Sequence, residues 1–109
     1  MKLNKETIKD CFAVKITATE NGEVIGRVRF FVLFNELHES PFGLMEDLFV
    51  EEDNRNRGIG EALVKAALEE ARKNKCYKFV FTCSRQELYG WYEKQGFVKY
   101  GAEFRVNLN

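Results

Sequence analysis

The sequence contains little proline and histidine and has no excess of charge of either sign. One proline among 109 residues, with 45% hydrophobic and 14% aromatic residues, excludes a disordered chain and indicates a single packed domain over residues 1–109. Seventeen basic side chains balance seventeen acidic ones, so the overall positive charge expected of a nucleic-acid-binding protein is absent. A site for an anion must therefore be local.

Long apolar runs are also missing. The longest, residues 30–34, is much shorter than the ~20 residues that span a bilayer, and residues 1–10 lack the apolar core of a signal peptide. Three cysteines, Cys11, Cys76 and Cys83, are odd in number and lack C-x-x-C spacing, which predicts neither a disulfide framework nor a zinc site. We expect a soluble, cytoplasmic protein that binds no membrane, no nucleic acid and no metal.

Alternation of apolar residues with polar or small ones predicts two strands near the start of the chain. Residues 11–19 show this period of two, which is typical of a strand with one buried face. Residues 24–34 begin with the same period, but their second half is apolar on both faces and should be buried on both. Asn21 and Gly22 between them tolerate the positive φ angles of a tight hairpin turn. The two strands should therefore pair antiparallel.

The rest of the chain alternates strands with helices. A mostly apolar segment, residues 44–50, is interrupted by Glu46 and Asp47 and predicts a third strand. It precedes a predicted helix over residues 60–75 and a strand over residues 77–82. This strand–helix–strand crossover makes its two strands parallel. A second helix over residues 86–95 and one or two strands over residues 97–108 follow. The predicted fold class is α/β (α+β), with a mixed, mostly antiparallel sheet and helices on both faces.

A basic segment with two glycines lies between the third strand and the first long helix. It consists of Arg55, Asn56, Arg57, Gly58, Ile59 and Gly60. Backbone N–H groups at a helix start carry partial positive charge, and glycine lets an anion approach them closely. The segment is not a P-loop, because no lysine follows Gly60, and it lacks the third glycine of a dinucleotide fingerprint. It predicts a local phosphate site of another kind.

Three motifs in order resemble the GNAT superfamily of N-acetyltransferases. Its R/Q-x-x-G-x-G/A pattern is matched by Arg55, Gly58 and Gly60. Residues 46–50 precede this pattern like the family's fourth strand, and residues 92–97 follow like its Y-x-x-x-G-F signature. With the hairpin included, only residues 1–10 lie outside the resemblance. Short likenesses to glucosamine-6-phosphate and polyamine N-acetyltransferases leave the acceptor open.

The resemblance implies transfer of an acetyl group from the cosubstrate acetyl-CoA to the amine of a small molecule or peptide, by direct attack in a ternary complex. The residues that would bind the cosubstrate are Leu48, Phe49, Val50, Arg55, Asn56, Arg57, Gly58, Ile59, Gly60 and Glu61. A backbone N–H of residues 48–50 would stabilise the oxyanion, as the family's β-bulge does. Tyr92 stands at the family's position for the acid that protonates the departing thiolate.

The reaction also needs a base, because an alkylamine with a pKa of about 10 is mostly protonated at neutral pH. Glu46 is the first candidate, and Asp47, expected on the opposite face of the strand, is the reserve. Glu46 has an equally good interpretation as a surface carboxylate paired with Arg27 or Arg29. Tyr92 has an alternative interpretation as a packed aromatic side chain of its helix.

One departure from the family concerns the start of the chain. GNAT proteins usually have a further strand and two helices before the hairpin, and these helices wall the acceptor pocket. Residues 1–10 are too few to supply them, so most of that strand and both helices should be lacking. Either the acceptor site is open, or a second subunit of a homodimer completes it. A non-catalytic CoA-binding sensor or interaction module is therefore the alternative function.

Overall fold

The computed structural model describes all 109 residues and is built around one four-stranded sheet. The strands, in their order across the sheet, are β1 (Phe12–Glu20), β2 (Glu23–Leu33), β3 (Phe42–Val50) and β4 (Phe79–Val80). The first three pair antiparallel, and β3 pairs parallel with β4. The predicted mixed, mostly antiparallel sheet is confirmed, as is the hairpin, in which Asn21 and Gly22 have φ angles of 52° and 80°.

Two α-helices follow the first three strands. Helix α1 covers Ile59–Lys73, close to its predicted range, and the short helix α2 covers Tyr89–Glu93. Single 3₁₀ turns lie at Glu52–Asn54 and Gln86–Leu88, so the second predicted helix is divided into a 3₁₀ turn and α2. None of the helices combines the length and apolar composition needed to cross a membrane.

The core lies between the sheet and α1. Its central members are the fully buried side chains Val28, Phe30, Val32 and Val64, with Met45, Leu63 and Ala67 around them. Burying one such aliphatic or aromatic side chain stabilises the fold by about 1.5–3 kcal/mol. Gly43 of β3 lies directly against the Phe30 ring, and a Cβ at this position would overlap the ring. The core therefore requires glycine at this point of the sheet.

Helix α1 packs against one face of the sheet only. The opposite face of the first two strands carries Lys15, Thr17, Arg27 and Arg29, which are exposed or half-buried. Tyr92 of α2 packs against the same core as α1. The prediction that helices cover both faces is thus met on one face, because the other face presents polar side chains that do not need apolar cover.

The C-terminal part differs most from the prediction. The strand expected over residues 77–82 is reduced to Phe79–Val80, and residues 97–108 form no strand. Apolar side chains of that segment face solvent, and Tyr100 and Phe104 are 99% and 95% exposed. The alternating pattern is genuine, but a strand forms only where a neighbouring strand accepts its backbone hydrogen bonds. In this structure the outer edge of β4 has no such neighbour.

Candidate active site

A β-bulge interrupts the pairing of β2 with β3. The register shifts between Arg27 and Arg29, so that Asp47 and Leu48 of β3 stand opposite a single residue of β2. Asp47 adopts a φ of 57°, which lies in the left-handed region that residues other than glycine rarely occupy. Bulges of this kind turn side chains away from the regular alternation and free backbone groups from the ladder.

A gap opens between β3 and β4 next to this bulge. The two strands pair only at Gly43 with Phe79 and at Leu44 with Val80. Beyond Leu44, the edge of β3 that faces away from β2 has no strand beside it, and this edge includes the predicted residues 48–50. Apart from the Val50 carbonyl, which accepts a hydrogen bond from Arg55, its backbone N–H and C=O groups have no strand partner and can pair with an extended ligand. The gap leads to the end of β3, close to the start of α1.

The basic segment forms the loop that enters α1. Asn56 and Gly58 have φ angles of 64° and 83°, and Gly58 is the N-cap residue of the helix. No side chain caps the first turn, so its backbone N–H groups remain available to an anion. A Cβ on Gly58 would meet nothing within 4 Å. Glycine is needed there for its left-handed conformation and not for space.

The second glycine of the loop has a different reason to be small. A Cβ on Gly60 would lie 3.5 Å from Cζ2 of Trp91 and 3.8 Å from Cγ2 of Val50, which are ordinary contacts. The protein's own packing would therefore accept alanine, and the absence of a side chain leaves the helix start open to a ligand. Trp91 of α2, 36% exposed, forms a wall beside this opening.

The two arginines of the loop already have partners within the protein. Arg55 donates its Nε–H to the carbonyl oxygen of Val50 at 2.9 Å, which ties the loop to the end of β3. Arg57 pairs with the Glu20 carboxylate at 2.6 Å. The sequence predicted the positive charge of the loop but gave no indication of these partners.

The remaining predicted cosubstrate residues occupy the same region in different ways. Asn56 is exposed at the turn of the loop. Ile59, the first residue of α1, packs its side chain against the core and so anchors the start of the helix. Glu61 lies in the first turn and pairs with Lys65 at 3.5 Å. No group of three or more His, Cys, Asp or Glu side chains is arranged to hold a metal ion.

The two candidate bases have different surroundings. Asp47 accepts hydrogen bonds from Nε of Arg27 at 2.7 Å and from a terminal nitrogen of Arg29 at 2.6 Å. These bonds, chiefly the one from Arg27, hold the pKa of the Asp47 carboxyl below its usual value. Glu46 is exposed and takes part in none of the ion pairs.

The expectation that Asp47 faces away from Glu46 is wrong. Arg29 faces Glu46 across the two strands, yet its guanidinium binds Asp47. The positive φ at the bulge turns the Asp47 carboxylate toward the face that carries both arginines. The ion pair that the sequence suggested for Glu46 is therefore made by its neighbour.

Tyr92 lies on α2, beyond the end of β4. Its ring centroid is 4.4 Å from that of Phe81, and the ring packs against the core as the alternative interpretation expected. Burial raises the pKa of the Tyr92 phenol above its usual value, and negative charge on the nearby Cys83 sulfur would raise this pKa further. The hydroxyl thus stays protonated at neutral pH and is able to donate a proton.

A cleft of about 700 Å³ adjoins Tyr92. One wall follows β4 and residues 81–84, α2 contributes Tyr89 and Glu93, and residues 98–103 form the other side. The cleft has a mixed lining of aromatic, hydroxyl and carboxylate groups, which suits a small polar molecule with apolar parts.

Comparison with known proteins assigns the fold and these motifs to one family. Residues 3–97 match the family described as Acetyltransferase (GNAT) family. The chain belongs to this family. The resemblance that three short motifs suggested is confirmed over most of the chain.

Individual relatives agree with this assignment. The chain is 44% identical over 57 residues to glucosamine 6-phosphate N-acetyltransferase 1 of rice, covering 52% of this chain and 34% of the relative. It is 30% identical over 89 residues to glucosamine 6-phosphate N-acetyltransferase of Candida albicans, covering 81% and 59%. The chain thus spans only part of the length of the curated relatives it matches.

A solved structure shows the same fold. A protein described as a putative acetyltransferase from Agrobacterium tumefaciens superposes with a TM-score of 0.82 at 27% sequence identity. The superposition covers 88% of this chain and 69% of that one.

Proposed function

We propose that this protein is an N-acetyltransferase that uses acetyl-CoA as cosubstrate and acetylates the primary amine of a small molecule, with amino-sugar phosphates as the acceptor class. The observation that carries the proposal is the gap along β3, which joins the bulge to the uncapped start of α1. Membership of the acetyltransferase family and the names of the curated relatives support it.

In this proposal the phosphates of CoA bind at the start of α1. Free N–H groups of the first turn, the left-handed Gly58 and the open side of Gly60 supply the anion site. The pantetheine arm, an extended chain with two amide groups, pairs with the free edge of β3 as an added strand would. This arrangement brings the thioester to the bulge.

The chemical step in this proposal uses residues on both sides of the gap. Glu46 accepts a proton from the incoming ammonium, directly or through a water molecule, because its carboxylate is not held by a cation. Asp47 is a poor base, since two arginines hold its carboxylate and lower its pKa. A backbone N–H of residues 48–50 stabilises the oxyanion, and Tyr92 donates a proton to the departing thiolate.

The acceptor class rests on the relatives and not on a contact in the structure. Two of them, from rice and Candida albicans, are named for glucosamine 6-phosphate. The amine of such a sugar would reach the bulge from the side of the cleft that adjoins Tyr92. A homodimer whose second subunit completes this side remains part of the proposal.

The first experiment measures CoA release and product mass with a panel of acceptors. Glucosamine 6-phosphate, free glucosamine, spermidine and a peptide with a free amino terminus are each incubated with acetyl-CoA, and CoA is separated by chromatography. Acetylation of the sugar phosphate is expected. Acetylation of another acceptor alone would overturn the acceptor class, and acetyl-CoA binding without any turnover would favour the sensor module.

The acid assignment is tested with Tyr92→Phe. This variant keeps the ring that packs against Phe81 but removes the hydroxyl, so kcat should fall by about 10²-fold while the melting temperature stays the same. Tyr89→Phe is the matched control, because it removes a neighbouring hydroxyl from the same cleft. Undiminished turnover by Tyr92→Phe would contradict the role of Tyr92 and leave the class of reaction intact.

A further inference from the structure

Glu20, at the end of β1, forms an ion pair with Arg57 of the loop before α1. The same guanidinium could otherwise bind a phosphate at the helix start. One terminal nitrogen of Arg57 donates to Glu20 Oε2 at 2.6 Å, and the other donates to Oε1 at 3.3 Å. That second nitrogen also donates to Oδ1 of Asn54 at 2.6 Å. Both terminal nitrogens of the guanidinium are thus engaged by acceptors of the protein itself.

This geometry bears directly on anion binding. A guanidinium binds phosphate through the same pair of parallel N–H bonds that it uses for a carboxylate. Glu20 holds the face that the two terminal nitrogens of Arg57 form, so a phosphate that binds Arg57 through this face must displace the carboxylate. The exchange is feasible, because the Arg57 and Glu20 side chains are 45% and 46% exposed and such ion pairs are weak.

We propose that Glu20 is a positioning residue that competes with a phosphate of acetyl-CoA for Arg57 and thereby limits the affinity of the protein for its cosubstrate. The inference rests on the proposed function, since it assumes that acetyl-CoA binds at the start of α1. Glu20 lies 37 residues before Arg57 in the chain, and this contact makes the end of β1 part of the cosubstrate site.

The test is isothermal titration calorimetry of acetyl-CoA with Glu20→Gln at low ionic strength. The variant keeps the size of the side chain and removes the competing charge. The Kd should fall about two- to fivefold, the range that an exposed ion pair supports. The Kd should also rise more steeply with salt than in the unchanged protein, because Arg57 then forms a new ion pair instead of exchanging one.

Three further variants separate this effect from a general change of charge. Glu23→Gln is the matched control, because Glu23 faces Glu20 across the hairpin, is exposed and pairs with no cation. Glu20→Asp keeps the charge and should bind almost like the unchanged protein. In the background of Arg57→Gln, the change Glu20→Gln should give no gain in affinity.

The outcomes distinguish failure of the Glu20 competition from failure of the proposed function. If every protein binds acetyl-CoA but Glu20→Gln has the same Kd as Glu23→Gln, or a higher one, the competition does not exist and the proposed function stands. If the unchanged protein binds no acetyl-CoA, both the inference and the proposed function are overturned. Circular dichroism spectra establish that each variant is folded.

Discussion

At the scale of single residues, the bulge determines which of two adjacent carboxylates is bound by cations and which is not. Asp47 departs from regular strand geometry and forms ion pairs with two arginines, whereas Glu46 forms no ion pair. Sequence adjacency suggests that neighbouring strand residues face opposite ways, and the bulge removes that rule locally. The chemical difference between the two carboxylates therefore comes from the backbone.

The ion pairs of Asp47 predict a dependence of stability on pH. Because Arg27 and Arg29 lower the pKa of this carboxyl, its stabilising effect is fully present above its usual pKa near 3.8 and is lost as the pH falls through the lower folded value. Asp47→Asn should therefore flatten the decline of unfolding free energy below pH ~4. Urea titrations at neutral and at acidic pH measure this decline. An equally steep decline in the variant would mean that these ion pairs do not couple to folding.

A second prediction for a single residue concerns the effect of Gly43 on stability. Its missing side chain leaves room for the Phe30 ring, so Gly43→Ala should force the two strands or the ring to move. We expect a loss of about 1–3 kcal/mol in the free energy of unfolding, as in other overpacked cores. Gly101→Ala is the control, because a Cβ there meets nothing within 4 Å. Chemical denaturation of both variants checks the difference.

At the scale of elements, the two glycines at the start of α1 have different roles, Gly58 in backbone conformation and Gly60 in leaving open space. Gly58→Ala should cost about 1 kcal/mol of stability, because alanine at a φ of 83° is strained. Gly60→Ala should fold with little loss, because its new methyl group makes only ordinary contacts. It should bind acetyl-CoA more weakly if the cosubstrate occupies this opening as proposed. Thermal unfolding and calorimetric titration of the two variants test this division. Equal losses of stability would contradict it.

The secondary-structure elements also show which features could be predicted from the sequence and which could not. The hairpin and α1 were predictable because their signals, Asn21–Gly22 and the helical period, are local in the chain. The left-handed glycine and the uncapped helix start of the loop lie in a local motif for the same reason, and phosphate binding there stays a prediction. The bulge and the pair of Glu20 with Arg57 were not, since both depend on strand register and on residues far apart in the chain. Residues 97–108 have the alternating pattern of a strand but pair with no other strand and form none.

At the scale of the whole molecule, that C-terminal segment leaves apolar surface exposed next to a sheet edge. Tyr100, Phe104 and Leu108 are almost fully exposed, and the outer side of β4 is unpaired. Exposed alternating segments and open edges promote association. We expect concentration-dependent self-association, measured by light scattering after gel filtration. Phe104→Ser should weaken it, whereas Lys99→Ser, at a polar position of the same segment, should not.

The contact of Trp91 with the start of α1 also has an optical consequence. This residue is the only tryptophan in the chain, and its indole lies beside Gly60, 36% exposed. Its fluorescence therefore reports on one place in the molecule, the opening where the loop becomes a helix. A ligand that fills this opening changes the solvent around the ring, and the emission spectrum of the unlabelled protein then becomes a direct readout of occupancy.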